Sequence, residues 1–318
     1  MAQPNHDPTA GAGDVLGAYL RGQATAFLRA LRLHGEGVQG GPDGVAEAAA
    51  ARSLRGAARR ISGSLATFRG VTESAWADGL RTELVWLSST LADEHAYAAR
   101  LARLMEALHR LSGSPDVPGP RSSAGALTVG SARAGALLER QLTLARTRAH
   151  SATLQALGSA RFHAVADAVA VLASEVPLDA VAAQGRVAEV LVPLAEVAES
   201  RLSAAVAVLP PVDGAHPYNC DDDGLWHEVR RLLRVHRYAR EALGEDVTRL
   251  AAAGEALDRH RDAAEAAAAS ATAARTPRIA PATAYALGVL HADQRHEVEA
   301  ARGAFQELWL PQPAATPG

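Results

Sequence analysis

Apolar residues recur at steps of three and four along nearly the whole chain, the period of an amphipathic α-helix. From Asp14 to His34 the recurring positions are Val15, Leu16, Tyr19, Leu20, Phe27, Leu28 and Leu31. The run GEGVQGGPDG at 35–44 predicts a break. Asp43 then suits the cap of a second helix reaching Phe68, and Thr72 that of a third, striped by Leu80, Leu84, Leu87 and Leu91 and extending to about Leu111. The stretch SGSPDVPGPRSSAG at 112–125 reads as a loop, followed by helices over about Leu127–Leu157 and Ser159–Ser174. A helix over Asp179–Leu209 contains Pro193, where a kink is expected because proline lacks the amide donor. After the loop PPVDGAHPYNCDDD at 210–223, helices are expected over Gly224–Leu243, Asp246–Ala274 and Pro281–Leu308. The Asp221–Asp223 triplet reads as the cap of the first of these, since carboxylates match orphan amides and the positive dipole end. About nine helices joined by short loops indicate an all-α fold of bundle type.

Composition agrees with that pattern. Alanine, the strongest helix former, dominates an apolar fraction of 48%, while aromatic residues make up 4%. The 318 residues bury a sizeable core. Every one of the 32 basic residues is arginine, so lysine nucleophiles, Schiff bases and phosphate-loop lysines are excluded. The single cysteine, Cys220, forms no internal disulfide. With no basic-then-apolar leader and no run of about 20 apolar residues, the chain is expected to be cytoplasmic and to lack a membrane partner. A formal charge of −3 argues against a general nucleic-acid coat, so any anion site must be local.

Two helices carry such a local charge. Arg52, Arg55, Arg59 and Ser62 follow steps of three, four and three, and so do His227, Arg230, Arg234 and Arg237, offset by 175 residues. Each set falls within an arc of about 80° and forms one ridge with a pitch of about 5 Å, suited to repeating anionic groups. The ordinary reading of a charged stripe is a solvated helix face. Against it, five arginines between Ala48 and Thr72 have no acidic companion, and five between His227 and Arg240 have Glu228 alone. Like charges at i,i+4 repel, and a solvated helix normally interleaves carboxylates. The repeated spacing suggests an internal duplication with both ridges facing a shared positive groove.

At these residues the sequence resembles the CHAD family, the conserved histidine α-helical domain. LWHEVRRLLRVHRYA at 225–239 is similar to the family's L-H-x-L-R-I-R-A-K-R-L-R-Y-A, placing His227, Arg230, Arg234, Arg237 and Tyr238 on its positions. LDRHRD resembles the element L-G-E-H-Q-D and places His260 and Asp262. In the first half ARSLRGAARRISGSLATF resembles the corresponding motif, with Arg55, Arg59 and Arg60 matching. Arg52 stands where that motif has histidine, Ser62, Leu232 and Val235 where basic residues are usual, and His95 and Ala96 where an arginine–aspartate pair is usual.

The resemblance, spanning about 13–310, implies two four-helix-bundle-like lobes with a pseudo-twofold repeat around a central positive groove. The first lobe is expected at about 13–120, connecting helices at 126–175, the second lobe at 179–310, and tails at 1–12 and 311–318. It implies non-catalytic binding of inorganic polyphosphate by Arg52, Arg55, Arg59, Arg60, His227, Arg230, Arg234, Arg237 and His260, with association to polyphosphate granules. No specific nucleic acid, metal or cofactor is expected. The missing basic positions keep a second reading open, a degenerate scaffold or protein-interaction module. His236 shares the stripe of Leu225, Val229, Leu232 and Leu243 and reads as packed, as do Phe68, Trp76, Trp86 and Trp226.

Overall fold

A computed structural model describes residues 10–40, 44–113, 121–211 and 220–309. The expected tail residues 1–9 and 311–318, and the loop cores 41–43, 114–120 and 212–219, lie outside these. Among the described residues the fold is all-α, with nine helices and no strand: α1 (Ala12–Gly40), α2 (Gly44–Thr67), α3 (Ser74–Gly113), α4 (Arg121–Leu157), α5 (Ala160–Ser174), α6 (Val187–Ala207), α7 (Asp223–Ala242), α8 (Thr248–Ala274) and α9 (Pro281–Trp309).

Several ends follow directly from local chemistry. Ser159 caps α5 by accepting the amide of Phe162 at 3.2 Å. The Asp246 carboxylate accepts the amide of Thr248 at 2.9 Å ahead of α8. Gly244, at φ 70°, ends α7 in the left-handed region that glycine enters without a Cβ clash. Arg249 donates to the carbonyls of Leu308 and Trp309 and so satisfies orphan acceptors at the end of α9.

Other ends differ from the sequence reading. α1 continues through Gly35 and Gly37 to Gly40, because a helical glycine costs only about 1 kcal/mol relative to alanine. α4 begins at Arg121, ahead of the expected Leu127. α6 begins at Val187 instead of Asp179, because Asp179 folds its own turn by accepting the amides of Val181 and Ala182. That segment is also fastened elsewhere: the Asp179 amide donates to the Val71 carbonyl and the Glu73 amide to that of Pro177, both at 3.0 Å. Ala10–Ala12, assigned to the tail, are held by the Val187 amide donating to Ala10 and the Ala12 amide donating to Gly185. α6 is assigned as one helix across Pro193.

The chain forms two compact units, each discontinuous in sequence. The first takes the residues up to His95, Ala149–Ala207 and Arg231–Thr248; the second takes Ala96–Arg148, Val208–Arg230 and Arg249 onward. This partition differs from consecutive lobes at 13–120 and 179–310, because its boundaries fall inside α3, α4 and α7. The first unit's core joins Leu16, Leu20 and Phe27 of α1 to Leu54, Ile61 and Leu65 of α2, Leu84 and Leu87 of α3, Val169 of α5, Leu191 of α6 and Ala239 of α7. The second unit's core joins Leu104 and Leu108 of α3, Leu138 of α4, Ala266 and Ala273 of α8, and Leu287 and Leu290 of α9.

Candidate functional site

In the first unit α2 buries Leu54, Ala57, Ala58, Ile61 and Leu65, and its arginines are thereby turned to the opposite side. Arg52 is exposed, and Arg55, Arg59 and Arg60 are half-buried, their aliphatic stems lying along the helix. α7 buries Leu233, Ala239 and Ala242 in the same unit, leaving Arg234 and Arg237 half-buried.

These two helices approach closely at Gly63 and Tyr238, where a Cβ built on Gly63 would lie 2.8 Å from the Tyr238 ring. Around that contact Arg60, one residue beyond Arg59 of the α2 ridge, meets Arg237 of the α7 ridge. The Arg60 and Arg237 guanidinium carbons lie 5.5 and 5.2 Å from the centroid of the Tyr238 ring, within cation–π range. Both also engage Glu241. Arg60 donates from Nε to Oε2 at 2.7 Å, and Nε of Arg237 lies 3.3 Å from Oε1. Tyr19 of α1 donates its hydroxyl to Oε2 at 3.3 Å. Burial, and then the Glu241 charge, push the Tyr19 hydroxyl well above the usual phenol range, so it remains a donor. Burial acts to lower the Arg60 value, but the Glu241 contact outweighs it and the net shift is upward.

One carboxylate therefore serves two guanidiniums from distant stretches of chain. Arg59, one residue before Arg60, has no such carboxylate among the described residues, and its buried Nε has no hydrogen-bond partner. The sequence reading missed Glu241 and Tyr19. Glu241 sits at i+4 from Arg237, the spacing that marks a helical ion pair, one residue past the arginine run that was counted.

In the second unit His227 and His260 come together, their rings 5.5 Å apart in a T-shaped contact. His227 is exposed, whereas His260 is wholly buried and stacked on Trp226 at 5.6 Å. No part of His260 reaches the surface. Burial pushes its imidazole below the ordinary histidine value. Arg230 is 9% exposed and donates from Nε to Asp258. That carboxylate comes from α8 and neutralises the Arg230 guanidinium.

Asp223 at the start of α7 accepts from Arg295 and Arg302 of α9, each at 2.7 Å, so both its oxygens serve buried guanidiniums. Its expected cap role is replaced by this anchoring one. Burial opposes ionisation of Asp223, but His260, 3.6 Å away, and Arg295 outweigh it and hold the carboxyl down at about 2. His236 in the first unit is buried, as its stripe predicted, and burial lowers its imidazole too. Phe68 and Trp226 are buried; Trp76 and Trp86 are partly buried against the first core, and Arg161 lies 4.0 Å over the Trp86 ring.

Among the described residues no group of three or more histidine, cysteine, aspartate or glutamate side chains is placed to hold a metal ion. No single helix among them is long and apolar enough to cross a membrane.

Comparison with known proteins gives one family and solved structures that include the following two. A family model for the CHAD domain matches residues 22–271. The structure of PptA from Streptomyces chartreusis is similar at a TM-score of 0.80 and 60% sequence identity, with 94% of this chain and 99% of that chain covered. The CHAD domain from the plant Ricinus communis has the same fold at a TM-score of 0.60 and 22% identity, with 98% of this chain and 97% of that one covered. No curated protein sequence matches.

Proposed function

The chain belongs to the CHAD domain family, and from that membership we propose that it binds inorganic polyphosphate without catalysis, at a surface built by α2 and the last part of α7. The observation that carries this reading is the meeting of Arg60 and Arg237 at the ring of Tyr238, with Arg59, next to Arg60 in sequence, lacking a carboxylate partner among the described residues. Arginine forks bind phosphate oxygens in pairs and stay charged throughout the physiological range. Arg52, Arg55, Arg59, Arg60, Arg234 and Arg237 form the proposed surface of the first unit; His227, exposed on the second unit, is a separate candidate contact. Arg230 and His260 support the fold instead of touching ligand. A cytoplasmic location at polyphosphate granules belongs to the same proposal.

Titration of the full chain with long-chain polyphosphate tests it. Binding that weakens steeply with salt is expected, because neutralising each phosphate releases counterions. Charge reversal at Arg55, Arg59 and Arg234 (each to Glu) is expected to abolish binding while the helical circular dichroism stays unchanged. Unaltered affinity in that variant would overturn the reading. Single-stranded DNA as competitor separates phosphate-chain recognition from plain attraction between charges; near-equal affinity supports only the latter.

A second reading, a scaffold for protein contacts, is favoured by the degree of internal neutralisation: Arg230 meets Asp258, and Arg240 meets Glu199 and Glu245. It expects no polyphosphate affinity at low salt and a saturable protein partner.

A further inference from the structure

Glu241 is an unusual neighbour for a surface that would bind a polyanion. Its carboxylate divides its oxygens between Arg60 of α2 and Arg237 of α7, and Tyr19 of α1 supports it from a third helix. Its side chain is 17% exposed, so it is a fixed part of the surface and not a mobile acid at the rim. Among the described residues Arg60 and Arg237 have no other ion-pair partner, and Arg59 has none. The surface thus holds a pair of guanidiniums already engaged by an internal anion and, in Arg59, one that has no carboxylate partner among the described residues.

Resting on the polyphosphate reading, we infer that Glu241 is a specificity-determining residue that selects long phosphate chains over short ones. A carboxylate tethered to the same helix competes at an effective concentration far above that of a dilute ligand. A single phosphate or a short oligomer meets this competitor head-on at Arg60 and Arg237. A long chain that has already engaged Arg59 presents its next phosphates intramolecularly, and so competes with Glu241 on equal terms. Each added phosphate near the pair also dilutes the repulsion of the one fixed carboxylate over more attractive contacts. Glu241 therefore withholds two guanidiniums from short anions while leaving them within reach of an anchored chain.

The test compares tripolyphosphate with long-chain polyphosphate, on the wild type and on Glu241→Gln, which keeps the side chain's shape and an acceptor for Tyr19. Tripolyphosphate affinity is expected to rise about tenfold and long-chain affinity about two- to threefold, so that the preference for long chains narrows. Equal changes for both ligands, or no change, would overturn the inference and leave Glu241 a structural tie among three helices. If Glu241→Gln loses its helical circular dichroism, Arg60→Ala decides: it should weaken the long chain several-fold more than tripolyphosphate, and equal losses would refute the filter. Absence of any long-chain binding by the wild type at low salt refutes the polyphosphate reading itself, an outcome distinct from these.

Discussion

Replacing Asp223 with alanine leaves Arg295 and Arg302 buried without their shared carboxylate, since these side chains are 1% and 5% exposed. Breaking a buried pair from one side typically costs about 3–5 kcal/mol, so Asp223→Ala should shift the urea midpoint strongly while Asp222→Ala leaves it nearly unchanged. Acid should act in two stages. His260 and His236 have imidazoles lowered in the fold, so the stability they contribute is complete above the unfolded value near 6.5 and declines as pH falls below it. Asp223 follows: its carboxyl is lowered from 3.8 to about 2, so its contribution is present above pH 4 and is lost as pH falls through 2. That second loss amounts to about 2 kcal/mol, read as unfolding free energy across pH 2–8. The sequence exposed Asp223 as a candidate cap but hid its partners, which lie 72 and 79 residues away on α9. Arg295 and Arg302 belong to no spacing pattern that would have marked them, whereas Glu241 could have been found by extending the i+4 search one residue.

Helices were legible where apolar stripes are regular, because burial of one face is what fixes them. Their ends were less so. Glycine alone did not stop α1, and Asp179 shortened α6 through a side-chain turn that hydrophobic spacing does not register. Close crossings between helices are set by single glycines. A Cβ on Gly130 of α4 would lie 2.2 Å from the carbonyl oxygen of Ala282 in α9, whereas one on Gly22 of α1 meets nothing within 4 Å. Gly130→Ala should therefore destabilise by about 1–3 kcal/mol through overpacking. Gly22→Ala, in an exposed helix interior, should stabilise by about 0.5–1 kcal/mol. Thermal unfolding of the two variants checks both signs.

At the scale of the molecule, a net charge of −3 coexists with the six arginines of the proposed surface, Arg52, Arg55, Arg59, Arg60, Arg234 and Arg237. Overall charge is a poor guide here because carboxylates are distributed unevenly: α3 arginines Arg100 and Arg110 meet Glu265 and Asp293 in the second unit, while Arg59 in the first has no such companion among the described residues. Removing Arg59 should accordingly reduce the salt slope of polyphosphate binding by about 0.7, the increment expected per contact on a single-stranded polyanion. The all-α class and the two arginine rows were visible in the sequence, and the family resemblance extended to the region the CHAD model matches. What stayed hidden was which carboxylates meet those arginines, such as Asp258 at Arg230 and Glu241 at Arg60, a property of tertiary neighbours that no one-dimensional spacing carries.

The wholly arginine character of this surface has a chemical corollary. Enzymes and reagents that acylate side-chain amines find no target on it, so its charge cannot be erased by lysine acetylation. Only chemistry directed at guanidines, such as arginine methylation or dicarbonyl adducts, could alter it, and dicarbonyl labelling offers a way to map which arginines a bound ligand shields.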